Sequence, residues 1–280
     1  MGKIGIVTDS TSDIPAELAK RYNIKVIPLY VNFEDETFLD GVDITPKEFY
    51  EKLRKVKVLP KSAQPSPSDF IEIYREVFKE FDSIISIHIS RKMSGTIDSA
   101  EIAKKELGGD IEIVDSELVH MPLGIVVLKA AQMAEDGRPK EEILEAINSY
   151  REKVKVLFIP KTLKYLIMGG RIGRAKGLIA SILEINPILT LHKGEVSQYK
   201  TTRRWNQAKN ELIEAMKTMV KDPANLTVYI TDSDAPEEAE DMLQRVKSEI
   251  GPREILKSYI GSIVGIHLGP DSVAVIFFED

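Results

Sequence analysis

Residues 4–15 read IGIVTDSTSDIP and decide how the chain begins to fold. The run Ile4–Thr8 is apolar and rich in β-branched residues, which is typical of a buried strand. Asp13 then stands where a helix N-cap is expected, and Pro15 falls in the first turn, where a missing N–H is tolerated. A buried strand that leads straight into a helix indicates an α/β fold.

The same order of strand and helix continues through the first half of the chain. Further strands are expected at Lys25–Phe33, Ile84–Ile89 and Ile111–Val114. Helices are expected from Thr45, from Ser66, over Thr96–Leu107, near 119–135 and over 139–152, with a loop at Lys61–Pro67. Strands separated by helices require right-handed crossovers, so we predict an α/β/α domain whose parallel sheet is covered on both faces.

The second half has a different pattern. Strands are expected at 154–159, 226–231, 253–259 and 272–278, and helices at 162–168, 178–184, 205–220 and 236–250. The runs Pro187–Leu191 and Glu195–Tyr199 flank His192-Lys193-Gly194 and predict a hairpin. A hairpin within an alternating pattern indicates a mixed sheet. The 280 residues favour two domains, which we predict at 1–160 and, as a smaller α/β domain, at 161–280.

Composition excludes several classes of protein. The chain has no cysteine, so disulfides, thiolate metal sites and cysteine nucleophiles are ruled out. Its net charge of -6 argues against a general nucleic-acid binder. The longest apolar stretches are interrupted by Lys129 and Glu184 and are shorter than a membrane span. We therefore expect a soluble, cytoplasmic protein with no membrane span.

Motifs for enzyme chemistry are missing as well. The sequence contains no G-x-S-x-G elbow, P-loop, Rossmann glycine pattern or histidine-rich metal spacing. His88 falls within a predicted strand and His192 in a hairpin turn, where structural roles are expected. We therefore predict no catalytic residue, no metal site and no cofactor.

Hydroxyl-rich loops are the strongest sign of a binding site. They are Thr8–Asp13, Lys61–Pro67, Ser90–Thr96 and Asp115–Ser116. In a parallel sheet, ligands bind beyond the carboxyl ends of the strands, and free helix N–H groups favour an anion there. Each hydroxyl can instead simply cap its own helix. Several such loops at one edge favour a carboxylate or phosphate site.

Two basic segments in the second half have two interpretations. Gly169–Arg174 contains three glycines and two arginines, and Thr201–Arg204 ends in two more arginines. They can be solvated turns, or they can present arginine to an anion or a partner. His267 lies just before Pro270, which is expected to fix a turn ahead of the last strand.

These segments together resemble the DegV family of bacterial fatty-acid-binding proteins. The matching motifs follow the family's order: Val7-Thr8-Asp9-Ser10, Ser62-Ala63-Gln64-Pro65-Ser66, Ser94-Gly95-Thr96, Val114-Asp115-Ser116, Gly169-Gly170-Arg171-Ile172, Pro187-Ile188-Leu189 and His267-Leu268-Gly269-Pro270. The resemblance implies a two-domain fold with a long-chain fatty acid enclosed between the domains.

The resemblance also assigns residues to roles. It implies that Ser62 and Ser94 bind the carboxylate, with Thr96 and His267 as further fatty-acid-binding residues. Arg171 and Arg203 are expected to serve the head group or partner docking. The protein would be a carrier rather than an enzyme, presenting the acid to a separate ATP-dependent fatty acid kinase that makes an acyl phosphate. Asn186 departs from the pattern, since the family often has lysine before Pro-Ile-Leu.

Some expectations remain open at this stage. Six apolar residues can line the acyl chain or belong to ordinary core: Leu163, Leu166, Ile167, Ile179, Ile182 and Leu183. An enzyme acting on a small anion, with Ser94 or His267 in the chemistry, is the main alternative function. A protein-interaction module that uses Gly169–Arg174 is compatible with the carrier hypothesis.

Overall fold

The computed structural model describes residues 2–181 and 185–280. They form two compact units, one made of the chain up to Thr45 with Lys57–Glu152, the other of Pro46–Val56 with Lys153–Asp280. The division into domains 1–160 and 161–280 stays a prediction. Within the described residues, no helix is both long enough and apolar enough to cross a bilayer.

The first unit is built on a four-stranded parallel sheet. In sheet order its strands are β2 (Lys25–Ile27), β1 (Ile4–Asp9), β6 (Ser83–His88) and β7 (Ile111–Asp115). Residues Ile84–Ile87 of β6 are fully or almost fully buried on both faces of the strand. A parallel sheet buried in this way must be covered on both sides, as the sequence predicts.

Five helices accompany this sheet. They are α1 (Ala16–Arg21), α3 (Pro67–Val77), α4 (Thr96–Leu107), α5 (Met121–Glu135) and α6 (Lys140–Lys153). Ser66 begins α3 with a capping box, because its side chain accepts from the Asp69 N–H while the Asp69 carboxylate accepts from the Ser66 N–H. Phe70 and Tyr74 of α3 are fully buried against the sheet.

A second, three-stranded antiparallel sheet lies within the first unit. Its strands, in order, are β4 (Glu36–Leu39), β3 (Tyr30–Phe33) and β5 (Lys61–Ala63). The prediction of one strand over Lys25–Phe33 is wrong, because Pro28 has no N–H and separates β2 from β3. The prediction of a loop over all of Lys61–Pro67 is also wrong, since its first three residues pair with β3.

The second unit contains a six-stranded mixed sheet, as predicted. In sheet order its strands are β10 (Glu195–Thr202), β9 (Asn186–His192), β8 (Lys155–Ile159), β13 (Ser272–Glu279), β11 (Leu226–Ser233) and β12 (Glu254–Tyr259). Only β11 and β12 run parallel among these pairs. β9 and β10 form the predicted hairpin.

The helices of this unit are α2 (Pro46–Leu53), α7 (Lys164–Met168), α8 (Trp205–Met219), α9 (Pro236–Glu249) and α10 (Ser262–Leu268). Helices α8 and α9 bury Met216 and Met242 in the core with strand residues such as Val275. The predicted helix over 178–184 is replaced, where the structure describes it, by a 3₁₀ helix at Gly173–Ser181. Ile182 and Leu183 lie outside the described residues.

Helix α2 precedes most of the first unit in sequence but packs within the second. The Tyr50 hydroxyl donates to the Ile260 carbonyl at 3.0 Å. Arg54 forms ion pairs with Asp234 at 2.6 Å and Asp271 at 2.7 Å. These contacts raise the pKa of the Arg54 guanidinium, first through the hydrogen bond to Asp271. The second unit is therefore discontinuous in sequence.

Candidate functional site

The carboxyl end of β1 carries a buried carboxylate that joins two loops. Asp9 accepts hydrogen bonds through Oδ1 from the N–H and hydroxyl of Thr11, at 3.1 and 2.5 Å. Its Oδ2 accepts from the Ile89 N–H at 3.0 Å and from His88 Nδ1 at 2.9 Å. A fully buried carboxylate is stable only with such partners. Asp9 thus fixes the ends of β1 and β6 together.

A chain of hydrogen bonds continues from His88 into the core. Nε2 of His88 lies 2.6 Å from Ser86 Oγ, which lies 2.8 Å from the Tyr74 hydroxyl. In the neutral tautomer that donates from Nδ1 to Asp9, Nε2 would accept from Ser86, and Ser86 would accept from Tyr74. Burial raises the pKa of Tyr74, so the phenol remains a donor. Ser86 has no exposed surface, and this triad-like arrangement is therefore structural.

A second buried pair joins Asp13 to His120. Oδ2 of Asp13 lies 2.5 Å from His120 Nδ1, and the His120 N–H donates to the Thr11 carbonyl at 2.8 Å. Both residues have positive φ, 49° and 64°, an uncommon conformation for side-chain-bearing residues. In the part of the chain that the structure describes, the buried hydroxyls of Thr8 and Ser12 have no hydrogen-bond partner. The loop after β1 is strained and wholly buried.

The loop after β6 brings two predicted site residues together. The N–H of Ser94 donates to the Ser90 carbonyl at 3.1 Å, which turns the chain toward α4. The hydroxyls of Ser94 and Thr96 lie 2.8 Å apart. Gly95 is the N-cap of α4 and provides no side-chain cap. The first-turn N–H groups and this hydroxyl pair form an arrangement suited to an anion.

Ser62 lies on β5, where it pairs with Val31, and is half-buried. The residue that reaches the Ser94 loop is its neighbour Gln64, whose Nε2 donates to Ser99 Oγ on α4 at 3.1 Å. The segment that begins at Ser62 therefore lies against the start of α4. β5 is not a strand of the parallel sheet, but Gln64 contacts the helix that follows β6, so this segment lies beside the Ser94 loop at the carboxyl edge of that sheet.

His267 lies on α10, in the second unit, just before the turn expected at Pro270. Its ring packs against Gly169, where a Cβ atom would lie 3.1 Å from Cε1. Burial, and then the charge of Arg171, lower the pKa of His267 to about 4. The imidazole is therefore neutral at pH 7 and has one donor and one acceptor nitrogen.

The two predicted arginines have different surroundings. Nη1 of Arg171 donates to the Gly169 carbonyl at 2.6 Å, close to His267. Arg203 follows β10 and is exposed, and its carbonyl accepts from Asn186 Nδ2 at 3.2 Å. Asn186 thus ties the start of β9 to the end of β10. The structure brings Arg171 to His267 and places Arg203 on the surface of the hairpin end.

The residues proposed to line the acyl chain differ in how far they are buried. Leu163 and Leu166 are buried, whereas Ile179 is 42% exposed. Ile167 is half-buried, and Ile182 and Leu183 fall outside the described residues. Helical spacing alone therefore does not define a lining here.

Sequence reasoning predicted a structural role for His88 but missed its partner Asp9, and it interpreted Asp13 as an N-cap rather than as the partner of His120. Each histidine of the first unit pairs with an aspartate at the end of β1 or in the loop after it, 79 and 107 residues away in sequence. The sequence signal that could have revealed these pairs was the motif Thr8-Asp9-Ser10 at the end of a buried strand. A carboxylate at such a position needs hydrogen-bond partners.

Comparisons with known proteins give a consistent result. The DegV family model, described as an uncharacterised protein family, matches residues 3–280. A DegV domain-containing protein of Caldanaerobacter subterraneus is 38% identical to this chain over 100% of both.

Two solved structures share the fold. A fatty-acid-binding DegV family protein from Thermus thermophilus has a TM-score of 0.93 and 34% identity, covering 99% of this chain and 100% of its own. DegV from Bacillus subtilis, described as a fatty acid binding protein, has a TM-score of 0.92 and 29% identity, covering 100% of both chains. The predicted fold class is confirmed.

Proposed function

This chain belongs to the DegV family, and from that premise we propose that it binds a long-chain fatty acid through hydroxyls at the start of α4. The observation that carries the proposal is the pair Ser94 and Thr96, whose hydroxyls lie 2.8 Å apart at a helix N-terminus where the N-cap, Gly95, has no side chain. The Thermus and Bacillus proteins, described as fatty acid binding, support the choice of ligand.

A carboxylate at this position gains from several sources. The Ser94 and Thr96 hydroxyls can each donate to it, and hydrogen bonds to a charged group contribute about 1.5–3 kcal/mol each. The first-turn N–H groups of α4 add further donors, and the helix dipole favours negative charge. We propose Ser62 as an additional hydroxyl for the same head group, because its strand leads into the segment that lies against α4.

The acyl chain supplies the larger part of the affinity. Each methylene removed from water contributes roughly 0.8 kcal/mol, so a long chain supplies up to about 10 kcal/mol before the entropy of binding is subtracted. The head-group hydroxyls then determine which amphiphile is preferred. A carboxylate accepts from several donors at once, whereas an alcohol or ester does so less well.

We also propose roles for three residues of the second unit. His267, neutral at pH 7, can donate to or accept from a polar group of the ligand. Arg171, held against Gly169, can provide a charge near that histidine. Arg203 is exposed and is proposed to contact a protein partner.

The proposed physiological role is that of a carrier rather than an enzyme. The bound acid would be presented to a separate ATP-dependent kinase, where a carboxylate oxygen attacks the γ-phosphorus of ATP, ADP leaves and an acyl phosphate forms. The half-buried position of Ser94 is compatible with a carboxylate that remains within reach of a partner. Use of ATP places this role in the cytoplasm.

Mass spectrometry of an organic extract from the untreated purified protein tests the binding proposal. We expect one long-chain fatty acid in stoichiometric amount, and uptake of added fatty acid after the ligand has been stripped. An empty extract with no uptake would overturn the proposal. Turnover of phosphate or acyl esters that is lost in Ser94→Ala would favour the small-anion enzyme instead.

The carrier role needs its own experiment. Loaded protein is mixed with an ATP-dependent fatty acid kinase, and acyl phosphate is trapped with hydroxylamine as the hydroxamate. We expect formation to require this chain and to fall in Arg203→Ala but not in Arg138→Ala, an exposed arginine of the first unit. Equal hydroxamate without this chain would contradict the presentation role.

A further inference from the structure

Gln64 spans the first turn of α4. Its Nε2 donates to Ser99 Oγ at 3.1 Å, across 35 residues of sequence. Ser99 in turn donates its N–H to the Gly95 carbonyl at 3.2 Å. The Gln64 amide therefore lies along the α4 turn that begins between Ser94 and Thr96.

Gly95 provides the space that Gln64 occupies. A Cβ atom at position 95 would lie 2.8 Å from both Cδ and Nε2 of Gln64, and nearer still to its Oε1. The backbone of Gly95 has φ -79°, which any residue adopts. Glycine is thus not needed here for its backbone freedom. Its missing side chain leaves room for the Gln64 amide beside the residue that lies between the two hydroxyls.

We propose that Gln64 is a positioning residue that determines specificity for the carboxylate head group. It clamps the Ser94–Thr96 segment to the first turn of α4, and so holds the two hydroxyls, 2.8 Å apart, at the start of the helix. Two neighbouring hydroxyl donors suit a carboxylate, which accepts several hydrogen bonds at once, better than a hydroxyl or an ester. This inference rests on the proposed function, because it assumes that the hydroxyl pair meets the ligand.

The arrangement allows a double-mutant cycle. Gln64→Ala removes the amide, and Gly95→Ala displaces it, since the amide is the end of a flexible, exposed side chain. The measured quantity is the ratio of Kd values for a fatty alcohol and a fatty acid of equal chain length. We expect each single variant to lower this preference for the acid about fivefold or more. The double variant should be no worse than either single variant, because the clash is then absent.

Three further variants separate positioning from general damage. Ser99→Ala removes the acceptor and should lower the acid preference in the same direction. Gly177→Ala is the matched glycine control, because a Cβ there meets nothing within 4 Å. Ser248→Ala, on α9, is the matched serine control, because it leaves the contact between Gln64 and Ser99 intact. We expect the thermal midpoint of the stripped Gln64→Ala and Ser99→Ala proteins to stay within a few degrees of wild type.

The outcomes discriminate between the two proposals. If wild type binds neither acid nor alcohol, the proposed function fails. If wild type prefers the acid and all three site variants keep that preference, the role of Gln64 fails alone. A Gly95→Ala effect that persists undiminished in the Gln64→Ala background would also overturn it. Parallel losses of acid and alcohol binding with a large fall in thermal midpoint would assign Gln64 a structural role only.

Discussion

His88 Nδ1 lies 2.9 Å from Asp9 Oδ2, at a position where neither side chain is exposed. The two residues end the neighbouring parallel strands β1 and β6. Asp9 also accepts from the Ile89 N–H, which is the last backbone donor before the loop to Ser94. One carboxylate therefore sets where the loop after β1 and the loop that carries Ser94 begin.

Removing that carboxylate should strongly destabilise the protein. Asp9→Ala leaves His88, the Thr11 hydroxyl and two backbone N–H groups without their acceptor. Breaking one partner of a buried pair costs about 3–5 kcal/mol, and we expect a loss of that size in the free energy of unfolding, measured by urea denaturation. Asp35→Ala, at an exposed turn, should change it by less than about 0.5 kcal/mol. A comparably small effect for Asp9→Ala would contradict the role given to this residue.

Ser94→Ala should weaken fatty-acid binding without unfolding the protein. Losing one hydrogen bond to a charged group corresponds to about a 10–100-fold rise in Kd, measured by displacement of a fluorescent fatty acid. Ser94 is only half-buried, so the thermal midpoint of the stripped protein should stay nearly unchanged. Ser248→Ala, exposed on α9, is the control. Unchanged Kd values in both Ser94→Ala and Ser62→Ala would refute the head-group assignment.

His267 should make the ligand-free protein less stable in mild acid. Its pKa is about 4 when folded, against 6.5 for a free histidine. Between these values the unfolded chain binds a proton that the folded one does not, so stability is highest above pH 6.5 and falls as pH drops toward 4. From pH 7 to pH 5 this single group should cost about 2 kcal/mol.

Denaturation at pH 7 and pH 5 tests this expectation. His267→Gln should lose less stability over that interval than wild type, by about the amount attributed to His267. His192→Gln, at an exposed histidine, should behave as wild type. Identical pH dependence in His267→Gln and wild type would show that burial of the imidazole has no energetic consequence.

Gly265→Ala should destabilise the packing of α2 on α10. A Cβ at position 265 would lie 2.5 Å from the Tyr50 hydroxyl oxygen and 2.8 Å from a ring carbon of Phe49. Both aromatic rings are buried and cannot move aside freely, and overpacking of this kind costs about 1–3 kcal/mol. Gly177→Ala, in open space, should be neutral. Equal thermal midpoints for the two variants would contradict this packing.

Local pattern was enough to predict the parallel sheet, the mixed sheet and the hairpin. In those regions the hydrophobic pattern of the sequence agrees with the burial of the residues in the fold. Helix-start signals were also reliable, since the capping box expected at Ser66 is present. Ser94 was also assigned correctly to a loop and Thr96 to the start of the helix that follows it, although their role in binding stays a prediction.

Features that depend on partners distant in sequence could not be predicted. Ser62 became a strand residue because Tyr30–Phe33 lies beside it, which no pattern within Lys61–Pro67 encodes. Asp9 and His88 are 79 residues apart, and each alone is an ordinary polar residue. The short helix that carries His267 has only seven residues, too few to show a helical period.

The discontinuity of the second unit has a consequence for synthesis. The hydrogen bond between Tyr50 and Ile260 can form only after Ile260, which lies 210 residues later in the chain, has been synthesised. During translation the apolar side of α2 therefore leaves the ribosome with no place to dock, while the strands of the first unit can already pair. Contacts of such long range form late and slowly. The nascent chain carries an exposed aromatic pair, Phe49 and Tyr50, which is the segment where chaperone binding and premature aggregation would concentrate.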